Sequence, residues 1–251
     1  MSKSKNIDLT EGSIAKQMIA FAIPLFLGNL FQQMYNMVDT WVVGRFVSNE
    51  AYAAVGSVGP IINMLIGFFS GFASGAGVVI SQYYGAKMLH KVRETVHTAL
   101  MLTLVMGILL TAVGLLMIPT ALRLIKMPAE AVADATTYLR IIFSGIMGLM
   151  FYNMGAGILR AVGDSKRPFY YLVVCAVMNT VLDLLFVIVF SMGTAGVALA
   201  TILSQGTSAI LVIITLMRSD SCIRLSLRRL KIVCRSNGRN CACTRKCWCR
   251  S

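Results

Sequence analysis

The chain has 251 residues, 57% of them hydrophobic and 13% charged, with a mean hydropathy of +0.75. That composition excludes a soluble domain, which could not build a water-facing surface from it, and points to an all-α polytopic membrane protein. The formal charge of +13 suggests nucleic acid, but from Asp220 onward nine basic residues face one acid, a net +8; the excess belongs to a tail suited to an anionic leaflet, so membrane lipid and not nucleic acid is the expected partner.

A hydrocarbon core about 30 Å thick requires roughly 20 apolar residues per helix. Six segments qualify, at about 17–43, 52–80, 96–118, 135–159, 168–190 and 194–217, and they are expected to form one six-helix bundle over 17–217. Residues 1–16 are polar, and the apolar stretch after them is too long for a cleavable signal peptide, so they form a cytoplasmic segment before an uncleaved span. Lys3, Lys5, Lys16, Lys87, Lys91, Arg93, Arg160, Lys166 and Arg167 fall in alternate loops. Basic residues near spans stay cytoplasmic, so both termini are expected there.

Span one contains Pro24 and a polar stripe in which Gln32, Tyr35, Asn36 and Asp39 recur at i, i+3, i+4 and i+7. That spacing stacks them on one helical face, which must meet protein or water. Gln32 and Asn36 serve equally well as hydrogen-bonding glue between helices. Asp39 does not, since a carboxylate at mid-membrane costs roughly 2.5–3.5 kcal/mol on the mildest scale. Span two carries Gly67, Gly71 and Gly75 at successive i+4 positions. This tandem small-residue pattern predicts close helix packing, and without a preceding strand or a Gly-Lys-Ser/Thr it is no nucleotide loop. His90 and His97 flank the start of span three with no nucleophile tied to them, so no catalytic residue is assigned.

Span four places Asn153 amid Tyr152, Gly155 and Gly157, and Gly163, Asp164 and Pro168 punctuate a tight loop whose Arg160, Lys166 and Arg167 act as topology anchors. Span five sets Asn179 and Asp183 four residues apart on one face, a second stripe with an acid at mid-membrane. Span six supplies Thr201, Gln205 and Ser208 at i, i+4 and i+7. If spans one, five and six pack together, Asp39, Asn179, Asp183 and Thr201 can surround a cation or exchange protons, because hard cations prefer oxygen ligands.

The segments MYNMVDTWVVGRFV, AYAAVGSVGPIINML, SQYYGAK, LRAVGDSKRPF, MNTVLDLLFV and GTAGVALATILSQ together resemble the multidrug and toxic compound extrusion (MATE) transporters, over about residues 12–217. The resemblance implies one lobe of a V-shaped carrier built from two six-helix bundles, which exports cationic or amphipathic compounds against entry of sodium or protons. It assigns Asp39, Asn179, Asp183 and Thr201 to coupling-ion binding and Gln32, Tyr35, Asn36 and Asn153 to the drug cavity, with no resident metal or cofactor. Two alternatives stay open. One is a relative that flips lipid-linked oligosaccharides, which should need cationic residues within its spans; the other is a non-transporting membrane fragment or assembly subunit.

The pattern departs from the family after about Ile232. Residues 218–251 form a basic tail with cysteines at 222, 234, 241, 243, 247 and 249. A cytoplasmic tail disfavours stable disulfides and the spacing is not that of a standard zinc finger. A frame-shifted or truncated half is therefore expected, with a second copy of the chain or the absent carboxy-terminal half as its partner.

Overall fold

The computed structural model describes residues 14–47 and 49–218. Among these, every regular element is helical: α1 (Ile14–Phe46), α2 (Asn49–Gly85), α3 (Leu89–Leu124), α4 (Ala129–Ala161), α5 (Lys166–Leu184), continued by a π-helical turn over Leu185–Val189, and α6 (Gly193–Arg218). All six are long and apolar enough to cross a membrane. Each expected span is present, and α1 to α4 run past their apolar windows by several residues at one or both ends. Backbone hydrogen bonding continues there because the helix satisfies its own polar groups wherever water is scarce.

The turns are compact. At Lys87, Lys126 and Gly163 the chain enters the left-handed region, with φ of 56°, 51° and 86°. Each residue ends a helix by letting the next amide reach back five residues: Met88 N donates to Tyr83 O at 2.9 Å, Met127 N to Leu122 O at 3.2 Å and Asp164 N to Leu159 O at 3.0 Å. Asp164 then starts α5, its Oδ1 accepting from Arg167 N at 3.2 Å while Oδ2 pairs with Arg167 Nε at 3.2 Å. This buried cap fixes the Gly163–Pro168 turn and gives Arg167 a structural partner.

Helix α4 is the central strut, packed on α2, α3 and α6, whereas α1 leans mainly on α5. Small residues do set the helix spacing, though not those of the Gly67–Gly71–Gly75 stripe. A Cβ at any of these three would meet nothing within 4 Å. The close approaches lie elsewhere: a Cβ on Gly148 would come within 3.1 Å of Gly206 Cα, joining α4 to α6, and one on Gly157 within 3.0 Å of Ala73 O, joining α4 to α2. The stripe faces away from the bundle because α2 buries its Ala54, Val58, Phe69, Ala73 and Ile80 side instead.

Two apolar cores stack along the bundle. One gathers Val42, Val58, Leu122, Leu139, Val187 and Val197; the other gathers Ile80, Val96, Ile158, Leu172, Val212 and Leu216. On α5 and α6 the polar residues fall between them: Asn179 and Asp183 between Leu172 and Val187, and Thr201 and Gln205 between Val197 and Val212. A polar layer is thereby held inside the bundle, with apolar packing on either side of it along these helices.

Candidate functional site

The layer opens into a cavity of about 330 Å³ walled by four helices. Tyr35, Asn36, Asp39 and Thr40 come from α1, Gly56, Gly59 and Asn63 from α2, Tyr138 and Ile142 from α4, and Thr201 and Gln205 from α6, with aliphatic side chains filling the gaps. Asp39 contributes the carboxylate of this lining, and among the described residues no Lys or Arg lines it. Such a wall favours positively charged, partly apolar occupants, since an anion would meet repulsion with no compensating donor cation.

Behind the wall, Asp183 and Asn179 are fully buried on α5. The Asp39 and Asp183 carboxyls abut, close enough for one proton to join them. Neither can donate while both are ionised, so the contact becomes a hydrogen bond only when one is protonated. Two carboxylates held together in apolar surroundings repel strongly, and a proton or cation between them removes that repulsion. Oδ1 of Asp39, both oxygens of Asp183 and both side-chain polar atoms of Asn179 are buried without a protein hydrogen-bond partner. Buried polar groups are ordinarily paired, so this concentration in one spot matches a site built for an exchangeable ion.

The residues singled out in the sequence fall into three groups. Asp39, Asp183 and Asn179 converge. Thr201 lines the same cavity, but its hydroxyl donates to Val197 O of its own helix at 3.0 Å. Tyr35 and Asn36 line the cavity as well, the Tyr35 hydroxyl accepting from Gln205 Nε2 at 3.2 Å and the exposed Asn36 amide donating to Gln33 Oε1 at 3.3 Å. Gln32 and Asn153 stand outside the lining. Gln32 sits beside Tyr35, and Asn153 donates to Leu149 O of its own helix at 2.9 Å.

Sequence reasoning missed Tyr138. It is buried on α4, lines the cavity and lies within electrostatic range of both carboxyls. Also missed was the π-helical turn that begins two residues after Asp183. Such turns shift the helical register of the residues beyond them and recur at functional sites. Here the turn ends at Val189 and is followed by Ser191, whose φ is 52°, with Met192 N reaching back to Phe186 O at 3.0 Å.

The cysteine-rich tail lies outside the described residues. Among the described residues no cluster of three or more His, Cys, Asp or Glu could hold a metal ion. His97 is buried with Nδ1 2.7 Å from Arg93 O.

Known proteins share this fold and stretches of this sequence. The MatE family model matches residues 24–185. The probable multidrug resistance protein YpnP of Bacillus subtilis is 35% identical over 202 residues, covering 80% of this chain and 45% of that protein. YoeA of the same organism, also a probable multidrug resistance protein, is 35% identical over 76% of this chain and 42% of its own length. The multidrug export protein MepA of Staphylococcus saprophyticus is 22% identical over 86% of the chain and 48% of its own. Among solved structures, a MOP superfamily transporter from Pyrococcus furiosus superposes with a TM-score of 0.84 at 28% identity, covering 92% of this chain and 51% of that one. An outward-facing MATE transporter gives 0.84 at 28% identity over 92% of this chain, and an inward-facing one 0.73 at 31% identity over 78%. The chain spans about half the length of the curated relatives it matches. With the family model matching most of the bundle, the chain is a multi-pass plasma-membrane protein that belongs to the MatE family of transporters.

Proposed function

We propose that this chain forms the ion-coupling lobe of a multidrug antiporter, which exports cationic or amphipathic small molecules in exchange for sodium ions or protons. The observation that carries the reading is the double position of Asp39: it lines the open cavity and at the same time abuts the buried Asp183. One carboxyl thus belongs to both the cargo space and the ion site. A cationic cargo beside Asp39 and a cation between the carboxyls compete for one negative charge, and that competition is what antiport requires. Asp39, Asn179, Asp183 and Thr201 form the ion side, and Tyr35 and Asn36 the cargo side. Gln32 and Asn153 would join the cargo surface only where it extends past this cavity. The absence of basic residues from the lining supports cationic cargo over a lipid-linked anion.

Transport by the whole assembly requires a second six-helix unit. Its seat is the bare face of α1 and α2, where Asn29, Gln33, Asn63, Ser70 and Ser74 are exposed alongside Gly67 and Gly71. Polar side chains at span depth face protein or water rather than acyl tails. A second copy of this chain and a carboxy-terminal half both fit that description.

Proteoliposomes containing the full chain test the reading. A gradient of sodium or protons should drive movement of a fluorescent cation, and Asp39→Asn and Asp183→Asn should each reduce it to the level of empty vesicles. Equal movement by wild type and Asp39→Asn would reject ion-coupled export through this pair.

A further inference from the structure

Six buried side-chain polar atoms lack a protein hydrogen-bond partner among the described residues, and five belong to Asp39, Asn179 and Asp183. The sixth is Oε1 of Gln205, a residue 4% exposed on α6, one turn beyond Thr201. Only one end of its amide is engaged. Nε2 donates to the Tyr35 hydroxyl at the cavity wall, while Oε1 has no donor. A buried amide carbonyl left unpaired loses its hydration with nothing in return, so a purely structural role does not explain it. Tyr35 in turn lies within electrostatic range of Asp39, and Gln205, Tyr35, Asp39 and Thr201 share one cavity.

Building on the coupling role assigned to the carboxyl pair, we infer that Gln205 is a ligand of the coupling ion, that this ion is sodium, and that cargo acts on it through Tyr35. The unpaired oxygens are Oδ1 of Asp39, Oδ1 of Asn179, Oδ1 and Oδ2 of Asp183 and Oε1 of Gln205. A proton needs one of these oxygens and at most a second to share it. Five oxygens, two of them neutral amide carbonyls, suit a hard metal cation, which takes several oxygen ligands at once. The amide also makes the link to cargo. A molecule competing for the Tyr35 hydroxyl releases Nε2, frees the amide to turn, and removes one oxygen from the cation. Drug entry thereby weakens sodium binding through a neutral group as well as through the charge of Asp39.

The test is the unfolding temperature of the purified full chain in detergent, titrated with sodium chloride against choline chloride at constant ionic strength. Wild type should be stabilised by sodium, because a ligand that binds only the folded state raises its stability. Gln205→Met keeps the side-chain length but loses the carbonyl, and should need roughly tenfold more sodium for half the effect. Gln205→Glu keeps an oxygen and should respond close to wild type. If Gln205→Met does not fold, Gln205→Asn, whose shorter amide cannot reach both neighbours, carries the same expectation. In Tyr35→Phe, added ethidium should shift the sodium response less than in wild type. An unchanged sodium response in Gln205→Met, together with a lost one in Asp183→Asn, overturns the role of Gln205 and leaves the carboxyl site standing. An unchanged response in Asp183→Asn overturns both. No sodium response in wild type, with stabilisation by protons alone, overturns the choice of ion.

Discussion

The back of the bundle and its front are built differently. In α4 half of the membrane window is buried, 50%, and in α6 44%, against 11% for α1 and 17% for α2. The back is a close-packed frame: Gly148 of α4 lies against the Gly206 backbone, and Gly155 meets Val212 so closely that a Cβ there would overlap its Cγ1. The front is a pair of long helices, one leaning on α5 and one on α4, with the cavity between them. The site straddles this divide. Asp183, Asn179 and Gln205 sit on the packed side, and Asp39 and Tyr35 ride on α1, which also carries Pro24. Half of the proposed ion site is thus held by a frame that cannot shift cheaply, and the other half by a helix with few neighbours. For an exchanger, that division lets one carboxyl approach or leave another without repacking the core.

Front and back should differ most at their glycines. Gly148→Leu drives a side chain into the Gly206 backbone, and overpacking of this kind costs about 1–3 kcal/mol or more; Gly71→Leu enters open space and should leave the unfolding temperature of the isolated chain unchanged. Thermal unfolding of the two variants side by side checks this, and equal destabilisation would mean that the front is as tightly packed as the back. A smaller effect is expected at the site where the two halves meet. In the proposed site sodium and protons neutralise the same carboxylates, so acidification should raise the sodium concentration needed for half-maximal stabilisation, since cation binding to a protonatable site must release protons. A sodium titration repeated in neutral and in mildly acidic buffer reads the shift, and Asp39→Asn should reduce it.

How much of this was legible in the residues depends on the range of the interaction. The six spans were, because hydropathy is a local sum over each helix. Asp39 and Asp183 stand out in the sequence as well, because a carboxyl in an apolar run is costly wherever the helix packs, and Asn179 shares the face of Asp183. Their convergence does not. It depends on α1 lying against α5, a contact between segments far apart in the chain that no local spacing encodes. Tyr138, in the run TTYLR near the start of α4, reads like an interfacial aromatic until α1 and α5 are seen beside it. The glycines were misread for a related reason. An i+4 stripe states that a face can be approached closely, and only the fold shows that α4 uses Gly148 and Gly157 while Gly67, Gly71 and Gly75 remain bare. The π-helical turn over LFVIV had no sequence signal, since β-branched and aromatic residues are ordinary in a membrane helix.

Competition between cargo and coupling ion for the Asp39–Asp183 pair is the property on which the proposed coupled export rests, and displacement reads it without intermediary steps. A fluorescent cation bound to the purified full chain, followed by anisotropy, should be released as sodium or acid is added, and Asp39→Asn and Asp183→Asn should each abolish that release while the dye still binds the cavity. Dye release along the same curve in wild type and in both variants would mean that cargo and ion do not meet at these carboxyls.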